Sequence, residues 1–224
     1  MTTTESVSVI LLAAGSGQRF GSSIPKCFVQ TDGQTIIEKS FATVKSLDFV
    51  TQILIAVPSE FVQSDIAKKL QADGATVYVG GETRRQSVKN GLSLVKEQST
   101  AENSYCLIHD AARVFVTKDL YIKTYQATKK HHAVTTAVKS VDSLKEVQAD
   151  GKVIKSLDRN FIYSVQTPQG FLSSLLIKAH EQWMLNNNTE PTDDASMVEQ
   201  IHSVYVVEGE YTNKKITFPQ DFLC

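Results

Sequence analysis

Leu11-Leu12-Ala13-Ala14-Gly15-Ser16-Gly17-Gln18-Arg19-Phe20-Gly21, with Pro25-Lys26-Cys27-Phe28 close behind, decides how the rest of this chain is read. The apolar run Val7 to Leu12 predicts a buried strand, and the glycines after it let backbone come close to a ligand. Arg19 and Lys26 bring positive charge to the same turn. Together these are the parts of a triphosphate cradle, although a tight strand-to-helix connection uses the same glycines. Spacing removes the two common glycine-rich motifs. A dinucleotide fingerprint needs Gly three residues after Gly17, where Phe20 stands, and a P-loop Lys follows Gly, whereas Lys26 follows Pro25. What remains, A-A-G-x-G-x-R and then P-K, resembles nucleotidyltransferases that join a sugar or polyol phosphate to a nucleotide.

Outward from this loop, strand-like runs at Gln52–Val57, Ala75–Val79, Tyr105–His109 and Ala133–Val138 alternate with periodic stretches at Ile36–Val44, Phe61–Leu70 and Arg84–Lys96. That alternation builds a parallel sheet from βαβ units. The expected fold class is α/β, a Rossmann-like, mostly parallel sheet with helices on both faces. The pattern breaks after Val138. There Leu144–Val147 and Val153–Leu157 flank Ala149-Asp150-Gly151-Lys152, and Asp-Gly between β-prone runs signals a hairpin. An isolated hairpin is marginal, so this one is expected to pack on another chain as a dimerisation arm at about 140–160. The sequence then predicts a strand at Ile162–Gln166, helices near Ser174–Leu185 and Asp193–Gln200, and a strand pair at Ser203–Val207 and Lys215–Thr217. With no repeat or linker, residues 1–224 read as one domain.

The 224 residues, 42% of them hydrophobic, can bury a full core. With 23 basic and 24 acidic residues there is no overall charge to attract nucleic acid or an anionic membrane, so any positive charge that matters is local. Cys27, Cys106 and Cys224 have neither metal-site spacing nor an even count, which suits a reducing compartment, and a cytoplasmic protein is expected. The polar start, Met1 to Ser8, lacks a signal peptide's basic and apolar regions, and no apolar run approaches a membrane span. No H-x-x-x-H, H-E-x-x-H or G-x-S-x-G occurs, which argues against a zinc site and a serine hydrolase.

Four further segments carry candidate chemistry, the first two of them beside the opening loop. Gly80-Gly81-Glu82-Thr83-Arg84-Arg85-Gln86-Ser87 opens a helix, where Thr83 or Ser87 can cap and the N-terminus favours negative charge. His109-Asp110-Ala111-Ala112-Arg113 ends a strand, and open α/β sheets bind ligands beyond the carboxyl ends of their strands. Asp110 can hold a metal or a substrate hydroxyl and Arg113 a phosphate; an Asp–Arg pair capping the next helix is the plainer alternative. Thr192-Asp193-Asp194-Ala195-Ser196 reads as an N-cap whose acids face the helix dipole. Asn213-Lys214-Lys215-Ile216-Thr217 puts one lysine on each face of a strand, either into the site or protecting an edge.

In order, AAGSGQR, PK, GGETRRQS, HDAAR, DR, QTPQGF, TDDAS and NKKIT resemble the 2-C-methyl-D-erythritol 4-phosphate cytidylyltransferase family from about residue 7 to 221. The resemblance implies that Ala13, Ala14, Gly15, Gly17, Gly81, Glu82 and Ser87 hold CTP. Arg19 and Lys26 would stabilise the α-phosphate, while Asp110, Arg113, Thr167, Thr192 and Lys215 face the polyol phosphate and the reacting phosphorus. Asp142, Ser143 and Arg159 would reach the partner's site from the arm of a homodimer. Mg²⁺ is implied, bound mainly through the CTP phosphates. Leu12, Gln18, Glu82, Val114 and Ser143 depart from residues common in the family, and losing an Arg at Gln18 is expected to weaken triphosphate binding. The implied reaction is attack by the acceptor's phosphate oxygen on the α-phosphorus of CTP, driven by positioning and charge neutralisation. Ribitol 5-phosphate as acceptor, a CTP-binding regulatory module and a dehydrogenase are the rival readings; the failed dinucleotide spacing weighs against the last.

Overall fold

The computed structural model describes residues 5–15, 17, 20–21, 24–98, 103–186 and 189–223. Arg19 and Gln18 of the glycine loop, and Cys224, lie outside the described residues.

Seven strands form the central sheet. β1 (Ser6–Leu12) is flanked by β4 (Gln52–Val57) and β6 (Ser104–Asp110), with β5 (Thr76–Val79) outside β4. Beyond β6 come β10 (Tyr163–Leu172), β7 (Ala133–Lys139) and β11 (Tyr205–Glu208). Every pairing is parallel except those of β10, which runs antiparallel between β6 and β7.

β1 shows why the sheet needs cover on both faces. Val7, Val9 and Leu11 point to one core and Ile10 to the other, the two-residue period of a strand buried on both sides. Under the first face lie α1 (Ile36–Lys45), α2 (Asp65–Ala72) and α4 (Lys118–His131), whose Ile37, Leu70 and Tyr121 are fully sheltered. Under the second lie α3 (Arg84–Gln98), α5 (Ser173–Asn186) and the short α6 (Asp194–Val198), contributing Val88, Leu92, Leu176 and Val198. Each such side chain contributes roughly 1.5–3 kcal/mol by leaving water, so the two layers fix the strands. From β1 the chain moves outward to β4 and β5, then α3 carries it back to β6 on the other side of β1. That reversal opens a crevice at the carboxyl ends of β1, β4, β5 and β6.

Three expectations change, and one element appears that the sequence reading did not include. The helix expected from Phe61 starts at Asp65, because Ser59–Phe61 is a 3-10 turn and the Ser64 hydroxyl caps α2 by accepting from Ala67 N at 3.2 Å. The strand expected at Ile162–Gln166 continues through Gln166-Thr167-Pro168-Gln169-Gly170-Phe171 as β10, with a register irregularity between Gln166 and Gln169. Lys215–Thr217 is not a strand: it lies along the sheet's end, held by Ile216 N donating to Ala112 O at 2.9 Å. A two-strand hairpin of β2 (Gln30–Thr31) and β3 (Gln34–Thr35) turns at Asp32 and Gly33, both with positive φ, the geometry of a tight hairpin turn.

The second hairpin, β8 (Lys145–Val147) and β9 (Val153–Ser156), forms its own small sheet at the place expected. Gly151 takes φ 88° in its loop. No residue from Val153 to Ser156 is buried, and Val147, Val153 and Ile154 are each 53% exposed. No helix among the described residues is long and apolar enough to cross a membrane.

Candidate functional site

The crevice holds a cavity of about 810 Å³, walled by the loops after β1, β4, β5 and β6 and by the segment carrying Lys215. Two glycines let the first loop fold. Gly17 has φ +65°, and a Cβ there would lie 2.8 Å from Lys26 Cβ, so the loop can lie on the Lys26 backbone only without a side chain. A Cβ on Gly80 would fall 2.3 Å from Ala14 Cβ, so the first and third loops meet there.

The α3 loop is organised by its own side chains. Thr83 Oγ1 accepts from Gln86 N at 3.2 Å, capping the helix, while the Ser87 hydroxyl accepts from Gly81 N and donates to Thr83 O, both at 3.0 Å. Ser87 therefore shapes the cavity wall from within. Its neighbour Arg84 reaches across the floor, with Nε donating to Asp110 Oδ1 at 3.4 Å and Nη1 to Asp194 Oδ2 at 2.5 Å.

Asp110 ends β6 at the bottom of the cavity. Lys215 Nζ donates to its Oδ2 at 2.7 Å. Burial works to raise this carboxyl, but Arg84, Lys215 and Arg113 outweigh it and hold it below the usual carboxylate range. The Lys26 ammonium donates to Ile216 O, so it reaches the stretch of chain that carries Lys215. Asn213 anchors that stretch by donating from Nδ2 to Thr167 O at 2.9 Å. Beside Lys26, burial pushes the Cys27 thiol up to about 11, which makes it a packed neutral group rather than a nucleophile.

Behind Asp110, the Thr167 hydroxyl accepts from Asp110 N at 3.0 Å and lies 3.0 Å from His109 Nδ1. Burial pushes the His109 imidazole down to about 4, so near neutrality Nδ1 accepts from Thr167 and Nε2–H donates to Arg113 O at 3.3 Å. Arg113 does not cap a helix with Asp110. Its guanidinium donates to Asn213 O at 2.8 Å and Val165 O at 3.2 Å, tying β10 to the Lys215 segment.

Of the residues singled out from sequence, Ala14, Gly15, Gly17, Lys26, Gly81, Glu82, Ser87, Asp110 and Lys215 line the cavity together. Ala13 lies in the core beneath them, and Arg113 and Thr167 support the floor from behind. Thr192 is exposed outside the cavity lining, and the cap of α6 is Asp193, in a reciprocal box with Ser196. Asp194 is not a dipole partner at the surface: it is fully buried between Arg84 and His180. Asp142, Ser143 and Arg159 are exposed and do not line this cavity; Arg159 donates to Val141 O at 3.2 Å. Arg84 was missed, yet its position gave a signal: two arginines in the first turn of a helix oppose the dipole and call for acidic partners. Arg85 has one too, Glu190 at 3.1 Å.

A cavity of this shape, with glycine-loop backbone on one wall, two lysines on another and one carboxylate on the floor, suits a polyanionic ligand and an uncharged hydroxyl beside it. Comparison with known proteins agrees. The family model described as 2-C-methyl-D-erythritol 4-phosphate cytidylyltransferase matches residues 7–224. A protein of that name from Clostridium tetani is 34% identical over 222 residues, covering 96% of this chain and 86% of the relative, and one from Clostridium novyi is 36% identical, covering 95% and 91%. The crystal structure of 4-diphosphocytidyl-2C-methyl-D-erythritol synthase from Anaerococcus prevotii superposes with a TM-score of 0.83 at 31% identity, covering 98% of this chain and 95% of that one. The Francisella tularensis cytidylyltransferase structure gives 0.81 at 31% identity and 97% coverage of both chains.

Proposed function

The chain belongs to the 2-C-methyl-D-erythritol 4-phosphate cytidylyltransferase family and joins its acceptor to CTP, giving 4-diphosphocytidyl-2-C-methyl-D-erythritol and pyrophosphate; from that premise we propose how its residues divide the work. The acceptor's phosphate oxygen attacks the α-phosphorus of CTP. A new P–O bond forms as the bond to the bridging oxygen of pyrophosphate breaks. The nucleophile is already an anion, so no side chain need remove a proton, and charge neutralisation carries the acceleration. The placement of Lys26 against the stretch that carries Lys215, with both lysines lining one cavity, is the observation that carries this assignment.

In this scheme Ala14, Gly15, Gly17, Gly81 and Glu82 hold the nucleotide, with Ala13 and Ser87 setting their backbone. Lys26 and Arg19 neutralise the α-phosphate as negative charge builds on it. Asp110 and Lys215 meet the acceptor, and Arg113 and Thr167 keep Asp110 in place. Mg²⁺ would ride on the triphosphate held by the glycine loop, supplying further charge neutralisation to phosphate oxygens. The donor set fits that role: no cluster of three potential ligands occurs among the described residues, and Asp110 is already engaged by two cations. Ser143 and Arg159 act in the cavity of a second copy, to which the arm attaches. The exposed Val147, Val153, Ile154 and Phe161 support that homodimer, since such surface calls for cover. The free, buried Cys27 and Cys106 suit a cytoplasmic setting. Pyrophosphate release measured with CTP and either methylerythritol 4-phosphate or ribitol 5-phosphate tests the acceptor, and a preference for ribitol phosphate would refute it.

A further inference from the structure

Four charges of alternating sign run inward from the cavity. Lys215 Nζ meets Asp110 Oδ2 at 2.7 Å, Asp110 Oδ1 accepts from Arg84 Nε at 3.4 Å, and Arg84 Nη1 donates to Asp194 Oδ2 at 2.5 Å. Behind them His180 Nε2, on α5, lies 3.2 Å from Asp194 Oδ1. The outer end is open to solvent, with the Lys215 side chain 41% exposed, and the inner end is sealed, with Asp194 at 0%.

We propose that Asp194, braced by His180, is a positioning residue for cytidylyl transfer: it fixes the Arg84 guanidinium, which sets Asp110 and Lys215 against the acceptor. The inference rests on the assignment of Asp110 and Lys215 to the acceptor side. Burial gives the direction of control. The Asp194 side chain is sealed at 0% exposure and held from behind by His180, whereas that of Asp110 is 12% exposed at the cavity and shared with Lys215, so Asp194 holds the guanidinium and Asp110 adjusts to it. Without Asp194, Arg84 would be free to close on both oxygens of Asp110, the fork geometry guanidinium prefers, and would draw Oδ2 away from Lys215.

Helix capping does not account for the Asp194 carboxylate. Asp193 already caps α6 by accepting from Ser196 N at 2.9 Å. Fold stability alone accounts for it poorly, because well-packed apolar residues commonly replace a buried ion pair without loss. His180 has little else to do: among the described residues its buried Nδ1 has no hydrogen-bond partner, and its polar contact is the N–H it gives to Asp194. That single bond sets the carboxylate plane, much as a second layer of ligands orients the first.

A double-mutant cycle on the full chain tests this, with acceptor kinetics at saturating CTP and CTP binding measured by calorimetry without acceptor. Asp194→Asn is expected to lower kcat/KM for the acceptor at least ~10-fold, through coupling to groups it never touches, while CTP affinity moves less than ~3-fold. In a Lys215→Ala background the same change is expected to cost under ~3-fold more. His180→Gln, which keeps an N–H, should retain most activity and His180→Leu should not. Full additivity, unchanged acceptor kinetics, or an equal loss of CTP affinity would overturn the proposal. Should Asp194→Asn fail to fold, the His180 pair and Arg84→Lys decide it by the same split. If Lys215→Ala itself leaves acceptor kinetics unchanged, the assignment of the site has failed; if that variant is impaired and the cycle is additive, only the positioning role has.

Discussion

The rim of the parallel sheet and the hairpin that leaves it turn opposite groups to solvent. At the rim, charge faces inward, and Asp110, Arg84 and Asp194 satisfy one another at low exposure. In the arm, apolar surface faces outward, with Phe161 80% exposed and Val141 65%. The arm's own ion pair, Lys155 to Glu146 at 3.1 Å, is well exposed, and such pairs contribute little. The rim's charges are therefore answered within one chain, whereas the arm's apolar surface is left uncovered by it.

Removing a charge from each region should separate them. Lys26→Ala is expected to lower kcat at least ~100-fold, the scale of losing one transition-state contact, with thermal unfolding and dimerisation unchanged. Near-normal turnover of the folded variant would strip the rim of its assigned chemistry. Arg159→Ala should act more gently, raising the acceptor KM about 10-fold, the equivalent of one charged hydrogen bond, while CTP binding stays put. If it weakened CTP binding instead, the division of labour between the regions would be wrong.

The rim alone should also carry a pH signature. The His109 imidazole is pushed down to about 4 from a usual 6.5, so the unfolded chain binds a proton that the folded one excludes. Stability is then full above pH 6.5 and falls as pH drops toward 4, by a few kcal/mol at most. The Asp110 carboxyl is shifted downward and adds its own loss only below the usual carboxylate range. Urea midpoints at pH 7.5 and 5 check this: His109→Asn should flatten the slope in that window, and an arm variant should leave it unchanged. An equal slope in wild type and His109→Asn would remove the neutral-imidazole account.

These two regions were legible from sequence to different depths. The sheet's parallel half came from apolar runs such as Val7–Leu12, because strands buried on both faces must be continuously hydrophobic. α4 left only a weak mark: its buried face includes Thr124 and Thr128, whose hydroxyls donate back to Leu120 O and Thr124 O at 2.7 Å and so hide as polar residues in the pattern. The glycine loop and Asp110 were readable because strand ends in such sheets meet ligands. Arg84 signalled only that it needs an acidic partner; that the partner is Asp194 was not readable, since their pairing spans 110 positions of sequence. In the arm, Asp150 and Gly151 announced the hairpin, but what it serves enters only by resemblance.

Mixed dimers test most directly the claim that one copy's arm completes the other's rim. Subunits carrying Lys26→Ala and Arg159→Ala, co-expressed with different tags, would pair an intact cavity from one with an intact arm from the other. Assayed well below the acceptor KM, the mixture is predicted to run roughly 5-fold above the mean of the two separate variants, because about half its dimers then hold one complete site in two. Activity equal to that mean would contradict the account.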